Sequence, residues 1–453
     1  MTSDQGSWVD PVPSALAKAL RPESITRFRL VLVHEWIRER FWAVPTVLLV
    51  AGVATGLAVS RVASIPGLAE VGGGLPIRTS SAETLLGIIA ASMLTFVGVV
   101  FTITLVALQL ASAQLSPRVI RTFVRSGITK VAFGLFLATF GYAIVVIVVE
   151  GASSNPAVLR LAVTLGVVLV LASLGVFVIY VTATMRLLQV SWVVTAVAEE
   201  TRRAISANRP SEADHVSAAP PVVDPDPPLV RLPDERNGDA SARFGVILGI
   251  DRGRLVQLGQ QYDCLLELLP KVGQYVPPGA PIVAVHGGNG PPDDALRRCV
   301  HLGRSRTMYQ DPFFGIRQLV DVASQALSPA VNQPTTAVIV IDRLEELLLR
   351  IGRRPHPTGF FVDTDDVVRL VHTEPTWAEV VDLAFTEIAL YGAAAPAVTR
   401  RLAAAYSQLR QSVTVDLRAD IDRHIALLEV LARAAIPADH PMSVPRPDPR
   451  GLG

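Results

Sequence analysis

Long apolar runs alternate with short charged segments over the first 200 residues of the chain. Four of the runs, at positions 42–59, 85–110, 131–149 and 161–181, are close to or above the roughly 20 residues that a helix needs to cross a bilayer. Arginine and lysine are concentrated before the first run, between the second and third, and after the fourth. The positive-inside rule therefore predicts a multi-pass membrane protein with both termini in the cytoplasm.

The second run carries a repeating polar pattern. Thr95, Thr102, Gln109 and Ser116 recur at every seventh position. Seven residues return to within about 20° of the same direction on an α-helix, so the four side chains form one stripe. Two interpretations are open: the stripe hydrogen-bonds to neighbouring helices, or it faces water and lines a pore built from several copies of the chain. Gln109 matters most, because stranding its amide in hydrocarbon is costly.

Charged side chains are missing from the interior of the runs. No Asp, Glu, Lys or Arg lies within any of the four. An ion-coupled transporter normally keeps at least one such residue on its proton or ion path. The pattern therefore argues against active transport and is compatible with a passive channel.

A short basic segment, "SPRVIRTFVRSG" at 116–127, follows the second run directly. Its Ser–Pro start is typical of a new helix, since Ser is a favoured N-cap and Pro is favoured at the first helical position. Arg118, Arg121 and Arg125 share one face of that helix and apolar residues occupy another. We expect it to lie on the cytoplasmic membrane surface, contacting lipid headgroups or forming the mouth of a pore.

The rest of the chain reads as a cytoplasmic α+β region. Short apolar runs punctuated by Gly and Pro, including "RLVQLGQQ" at 254–261, predict strands of a small β-barrel-sandwich-like module, followed by a C-terminal helical part. The predicted organisation begins with a cytoplasmic N-terminal segment (1–41), a domain of four transmembrane helices (42–184) and an amphipathic extension helix (185–208). A disordered linker (209–242), the β-module (243–310), a helical α+β domain (311–436) and a disordered tail (437–453) follow.

One turn in this region is a candidate anion or ligand site. A predicted strand carries Arg304 and Arg306, and a later turn containing Asn332 leads into a helix that starts at Pro334. The backbone N–H groups at such a helix start, next to Thr335 and Thr336, are able to bind an anion. Ordinary capping and turn structure is the alternative explanation of the same residues.

Composition narrows the function further. Half of the residues are hydrophobic, 18% are charged and the net charge is +1, which gives no reason to expect a nucleic-acid partner. Cys264 and Cys299 lie far apart, with no metal-ligand spacing around them. Lys271 lacks the flanking residues of a biotin or lipoate site, so no cofactor is expected. No nucleophile, Walker or zinc-protease motif appears, and the chain is not expected to be an enzyme.

Two motifs resemble a known family. "LVALQLASAQLSPRVIRTFVR" together with "DPFFGIRQLVDVASQALSPAVNQPTTAVIVIDRL" is similar to the bacterial predicted membrane proteins of the domain-of-unknown-function 2254 family, over residues 30–433. The resemblance implies a polytopic inner-membrane protein with a cytoplasmic C-terminal region, and it brings no established activity. The family pattern usually has Asp where this chain has Gln333, and Arg where it has Gln325. Gln is a poor N-cap, which weakens the case for a charged site at this turn.

Two functional hypotheses follow. The first is a homo-oligomeric passive channel for an ion or small solute, lined by the second transmembrane helix and controlled by the cytoplasmic domain. The alternative is a membrane-anchored sensor or scaffold whose cytoplasmic domain binds a ligand or a protein partner.

Overall fold

The computed structural model describes residues 42–62, 79–114, 127–150, 156–208, 221, 223–234, 244–353, 358–437 and 445–448. The chain forms two compact units, which divide between Val193 and Val194. Each unit is described separately below.

The membrane unit contains four helices that are long and apolar enough to cross a bilayer. They are α1 (Ala43–Val62), α2 (Thr79–Gln114), α3 (Gly127–Glu150) and α4 (Pro156–Leu187). Helices α2, α3 and α4 cover the runs predicted for them and extend beyond them, and α1 covers its run from Ala43 onward, so the predicted helices are confirmed. Helix α2 has 36 residues and is therefore about 54 Å long at 1.5 Å per residue. It exceeds the roughly 30 Å hydrocarbon core and must tilt or protrude from it.

Small residues let α1 and α3 approach closely. A Cβ atom added at Gly52 would lie 2.3 Å from the carbonyl oxygen of Ala138, and one added at Gly56 would lie 3.2 Å from that of Tyr142. Gly134 and Gly141 of α3 face Leu side chains of α1 in the same way. Apolar helices in lipid associate by such close packing, because the hydrophobic effect does not drive them together there.

The unit that contains the described residues from Val194 onward, the C-terminal unit, is α+β, as predicted. Its elements are the part of α5 (Val190–Ala207) beyond Val193, β1 (Leu229–Arg231), β2 (Gly245–Ile250), α6 (Arg252–Gln261), β3 (Leu265–Leu268), β4 (Tyr275–Val276), β5 (Pro281–His286), α7 (Asp293–Arg298), β6 (Val300–Gly303), α8 (Pro312–Ala326), α9 (Pro334–Gly352), β7 (Phe360–Val362), β8 (Val368–His372), α10 (Trp377–Gly392), α11 (Pro396–Ser412), a 3₁₀ turn (Val415–Leu417) and α12 (Arg418–Ala435).

The strands form two open sheets instead of a closed module. One sheet has the order β1-β5-β3-β8-β7 and the other β4-β2-β6. Neither closes into a barrel, and the barrel-sandwich detail of the prediction finds no support. The segment "RLVQLGQQ" is helical, within α6, where a strand was predicted. Asp251 starts this helix, because its side chain accepts a hydrogen bond from the Arg254 amide at 3.0 Å, and Leu255 and Leu258 form its buried face.

One pair of strands in the larger sheet is parallel. Strand β3 pairs with β8 so that Leu268 lies opposite His372, while the other pairs of this sheet are antiparallel. The carboxyl ends of β3 and β8 therefore meet at the same edge of the sheet. Leu266 and Leu370, both fully buried, place this pair in the hydrophobic core of the unit.

Helix α5 joins the two units along the chain. It was predicted as a continuation of the fourth span, but α4 ends at Leu187 and α5 begins at Val190. From Val194 onward α5 packs within the C-terminal unit, with a buried face at Val194, Val197, Ala198, Thr201, Ala204 and Ile205. Thr201 lies against Gly315 of α8, where an added Cβ would be 1.9 Å from the Thr201 hydroxyl oxygen.

Candidate functional site

The polar stripe of α2 points away from the other helices of the chain. Thr95, Thr102 and Gln109 are all exposed. The opposite face of α2 forms the packing surface, made by Ala82, Leu86, Ile89, Met93, Val100, Ala107 and Ala111, each at most 8% exposed. In the described part of the chain, these three side chains therefore take no part in helix packing.

The members of the stripe differ in their hydrogen bonding. Thr95 and Thr102 donate their hydroxyl protons to the carbonyl oxygens four residues earlier, Ala91 and Gly98, each at 3.0 Å. These hydroxyls need no partner from another helix. The side-chain amide of Gln109 has no hydrogen bond to any residue in the described part of the chain. Gln109 lies two positions before the end of the apolar stretch Ser81–Ala111.

The same face of α2 carries small residues. A Cβ atom added at Gly98 would find nothing within 4 Å, and Ala91, one heptad earlier, is exposed. Small residues on a membrane helix allow another helix to approach closely. The small residues on this face leave room for another helix, and no described residue of the chain fills that room at Gly98.

Polar contacts between the membrane helices are made by other residues. The hydroxyl groups of Thr104 on α2 and Tyr180 on α4 are 2.7 Å apart, and that of Tyr142 on α3 donates to the Ala162 carbonyl oxygen at 2.7 Å. Thr139 and Ser173 form a third such contact at 3.2 Å. None of these residues was predicted from the sequence as a contact between helices. Their isolated positions within apolar runs are the signal from which such contacts could have been predicted.

Ser116, Arg118, Arg121 and Arg125 lie outside the described residues. Arg304, Arg306, Asn332, Thr335 and Thr336 are in the C-terminal unit.

Arg306 is held at the start of α8. It follows strand β6, which ends at Gly303, and its guanidinium donates to the Asp311 carboxylate at 2.7 and 2.9 Å. Asp311 also accepts from the Phe314 amide at 3.1 Å and so caps α8. Burial raises the pKa of Asp311, even though Arg306 beside it acts in the opposite direction. Arg304 is exposed and forms no ion pair within the described ranges.

Asn332, Thr335 and Thr336 come together at the start of α9. Asn332 is exposed and has a φ of 45°, a left-handed conformation that Asn tolerates better than most residues. The backbone N–H of Asn332 donates to the Ser328 carbonyl oxygen at 2.9 Å. Gln333 occupies the N-cap position without a side-chain capping bond. The structure thus shows a turn and the start of α9 here. Arg306 is bound to Asp311 at the start of a different helix, α8.

Comparisons with known proteins identify the family. A family described as "Predicted membrane protein (DUF2254)" matches residues 38–408. The chain belongs to the DUF2254 family. Uncharacterized proteins of Mycobacterium bovis and of Mycobacterium tuberculosis strain H37Rv are each 27% identical to this DUF2254 protein over 428 residues, which covers 87% of this chain and 77% of each relative. No solved structure matches.

Family membership confirms the resemblance drawn from the two motifs and identifies a predicted membrane protein. Neither the family description nor the names of the relatives assign an activity. Within the ranges that the structure describes, no three His, Cys, Asp or Glu side chains come together as a metal site. The function of this DUF2254 protein must therefore be argued from its own side chains.

Proposed function

We propose that this protein assembles into a homo-oligomer in the inner membrane, and that the α2 helices surround a passive pore for ions or small solutes. In this proposal both termini and the C-terminal unit, from Val194 onward, are in the cytoplasm, and this cytoplasmic unit controls the pore. One observation carries the proposal: the polar stripe of α2 is exposed, on the face opposite to the one that packs within the chain.

Gln109 provides the energetic argument. Its amide offers two donors and one acceptor oxygen, and none of them is bonded within the described part of the chain. Leaving such groups in hydrocarbon costs several kcal/mol, whereas pore water or the Gln109 amides of other copies would satisfy them. Gly98 and Ala91 on the same face allow the α2 helices of neighbouring copies to come close.

The basic segment after α2 fits the same arrangement. Arg118, Arg121 and Arg125 follow the carboxyl end of α2 in the sequence. In the proposed topology this end is cytoplasmic, so the three residues surround the inner mouth or contact headgroups there. A ring of cations at a mouth favours anions over cations in the entering solution.

A membrane-anchored sensor or scaffold is the second candidate. It is favoured by the internal hydrogen bonds of Thr95 and Thr102, which allow both side chains to lie in a helix–helix contact without water. In that case the stripe serves oligomerisation alone, and the cytoplasmic unit carries the function through a bound ligand or protein.

Matched cysteine pairs distinguish the two. Leu94 and Phe101 are exposed and directly precede Thr95 and Thr102, so each pair lies at one depth and about 100° apart around the helix. For a pore, cysteines at positions 95 and 102 react with a small charged thiol reagent in nanodiscs, and those at 94 and 101 do not. Equal protection at all four positions contradicts the pore.

The native cysteines suit this experiment. Cys264 and Cys299 are 2% and 3% exposed, and burial raises the pKa of both thiols, which keeps them protonated and unreactive. Native mass spectrometry of the same preparation gives the subunit number. A monomer removes both the pore and the homo-oligomeric scaffold, while an oligomer without conductance in planar bilayers supports the scaffold.

A further inference from the structure

His372, the last residue of β8, is a buried polar side chain without a partner. It is 2% exposed, and neither ring nitrogen has a hydrogen bond to a described residue. Native proteins pair nearly all buried polar groups, because a buried group left unpaired loses its hydrogen bonds to water without replacement. An imidazole in this position therefore calls for a bound group that the described part of the chain does not provide.

Arg252, the first residue of α6, contributes a second unpartnered donor to the same region. One terminal nitrogen of its guanidinium donates to the Glu374 carboxylate at 2.7 Å, and the group lies 5.2 Å from the centre of the Phe361 ring. Its Nε atom is buried and has no partner among the described residues. Arg252 is thus fixed in orientation by two contacts while one N–H group remains free to donate.

Lys271 adds a further positive charge. It follows β3 and its ammonium group lies 2.9 Å from the Glu379 carboxylate at the start of α10. Burial, and then the charges of Arg252 and Lys271, lower the pKa of His372 to about 3. Geometry places both cations in the same region as the imidazole: Lys271 comes shortly after Leu268, which lies opposite His372, and Arg252 binds Glu374, two residues after His372. The imidazole is neutral at physiological pH and holds one donor and one acceptor nitrogen.

The position in the fold is one where ligands commonly bind. His372 ends β8 and Lys271 follows β3, so both belong to the carboxyl edge of the parallel pair. In open sheets, ligands bind outside the carboxyl ends of parallel strands. Helix α6 contacts both of these strands and brings its first residue, Arg252, to the cluster.

We propose that Arg252, Lys271 and His372 form a binding site for a small oxyanion of the phosphate or carboxylate class. An oxyanion presents acceptors to the Nε–H of Arg252 and to an N–H of His372. This inference does not depend on the pore, and it names a site in the cytoplasmic unit separate from the Asn332 turn.

Charge balance adds a measurable feature. Arg252 is paired with Glu374 and Lys271 with Glu379, so the cluster is neutral when His372 is neutral. An incoming anion adds negative charge, which protonation of His372 offsets. Anion binding should therefore be accompanied by proton uptake.

Isothermal titration calorimetry of the full chain in nanodiscs tests the site, with potassium phosphate and potassium acetate as probes and chloride at equal ionic strength as the reference. We expect saturable binding of at least one probe, weakened about tenfold or more in Arg252→Gln and His372→Gln. Arg254→Gln is the matched control, because Arg254 lies on the same helix and is exposed, and its side chain hydrogen-bonds only to Gln257 among the described residues. Lys271→Gln, at a half-exposed position that tolerates substitution, should weaken binding several-fold.

The outcomes are decisive. Titrations in two buffers of different ionisation enthalpy should show proton uptake that His372→Gln abolishes. Phosphate binding with no response to acetate identifies a phosphate-type ligand, and the reverse identifies a carboxylate. Absence of saturable heat with both probes, or equal affinity in all four variants, overturns the proposal and leaves a buried water as the partner of His372.

Discussion

The contact between α5 and α8 makes a prediction with a defined sign. We consider Gly315→Ala, which adds one methyl group where the two helices touch. The new Cβ would lie 1.9, 2.8 and 2.9 Å from the Oγ1, Cβ and Cγ2 atoms of Thr201. Ordinary carbon contacts are about 3.5–4.0 Å. Rotation of the Thr201 side chain does not relieve the overlap, because its Cβ atom is itself too close.

The expected magnitude combines two opposing effects. Overpacking of this kind costs about 1–3 kcal/mol, while replacing Gly by Ala within a helix gains up to about 1 kcal/mol. Gly253→Ala is a matched control in the first turn of α6, because the nearest atom to its new Cβ is the Asp251 carboxylate oxygen at 3.9 Å. The difference between the two variants isolates the steric cost, which we expect to be about 1–3 kcal/mol.

Hydrogen–deuterium exchange of the full chain in nanodiscs measures the local effect. We expect peptides covering 194–207 to exchange about 5- to 150-fold faster in Gly315→Ala, which corresponds to 1–3 kcal/mol of easier local opening. Gly253→Ala should leave these peptides unchanged. Thr201→Ala should be less damaging in the Gly315→Ala background than in the wild type, because it removes two of the overlapping atoms. Unchanged exchange of α5 in Gly315→Ala would refute the packing described here.

Three further predictions concern single side chains. Gly52→Ala should lower the stability of the membrane unit by more than about 1 kcal/mol, measured by unfolding in mild detergent, because its Cβ would overlap the Ala138 carbonyl oxygen. Tyr180→Phe should cost about 1 kcal/mol in the same assay through the lost contact with Thr104, and an unchanged unfolding midpoint would argue against that hydrogen bond. Lowering the pH from about 6.5 towards 3 should destabilise the protein, because the unfolded state binds a proton at His372 that the folded state excludes. His372→Gln should reduce the slope of the unfolding free energy against pH by at most about 1.4 kcal/mol per pH unit. Denaturant unfolding at several pH values measures this slope.

Hydrophobic periodicity was sufficient to predict the four apolar helices and the helix that starts at Pro334. These signals are local, since a run of 20 apolar residues or a Pro at a helix start does not depend on distant partners. The segment that forms α6 was misread because a short apolar run fits either a strand or one face of a helix. The cap at Asp251 decides between them, and a cap is easily missed when the apolar pattern is read first.

The candidate sites were predictable only in part. The stripe of Thr95, Thr102 and Gln109 follows from spacing alone, and its direction relative to the other helices required the structure. The cluster of Arg252, Lys271 and His372 was not predictable, because its members come from three separate segments joined by a parallel strand pair. Long-range pairing of this kind leaves no signal in any one window of the sequence. A His at the end of an apolar strand was the local hint.

Helix α5 allows the two proposals to be tested against each other. Two residues separate it from α4, and it is packed into the unit that holds the oxyanion cluster. If oxyanion binding controls the pore, the effect must pass along the chain through α5, and loosening its contact with α8 should weaken it. We expect phosphate or acetate to change the conductance of the wild type in planar bilayers, and Gly315→Ala to reduce that change while leaving the binding affinity as it was. Loss of both conductance control and binding would show that Gly315→Ala damages the whole unit, whereas full control in this variant would mean that the signal takes another route.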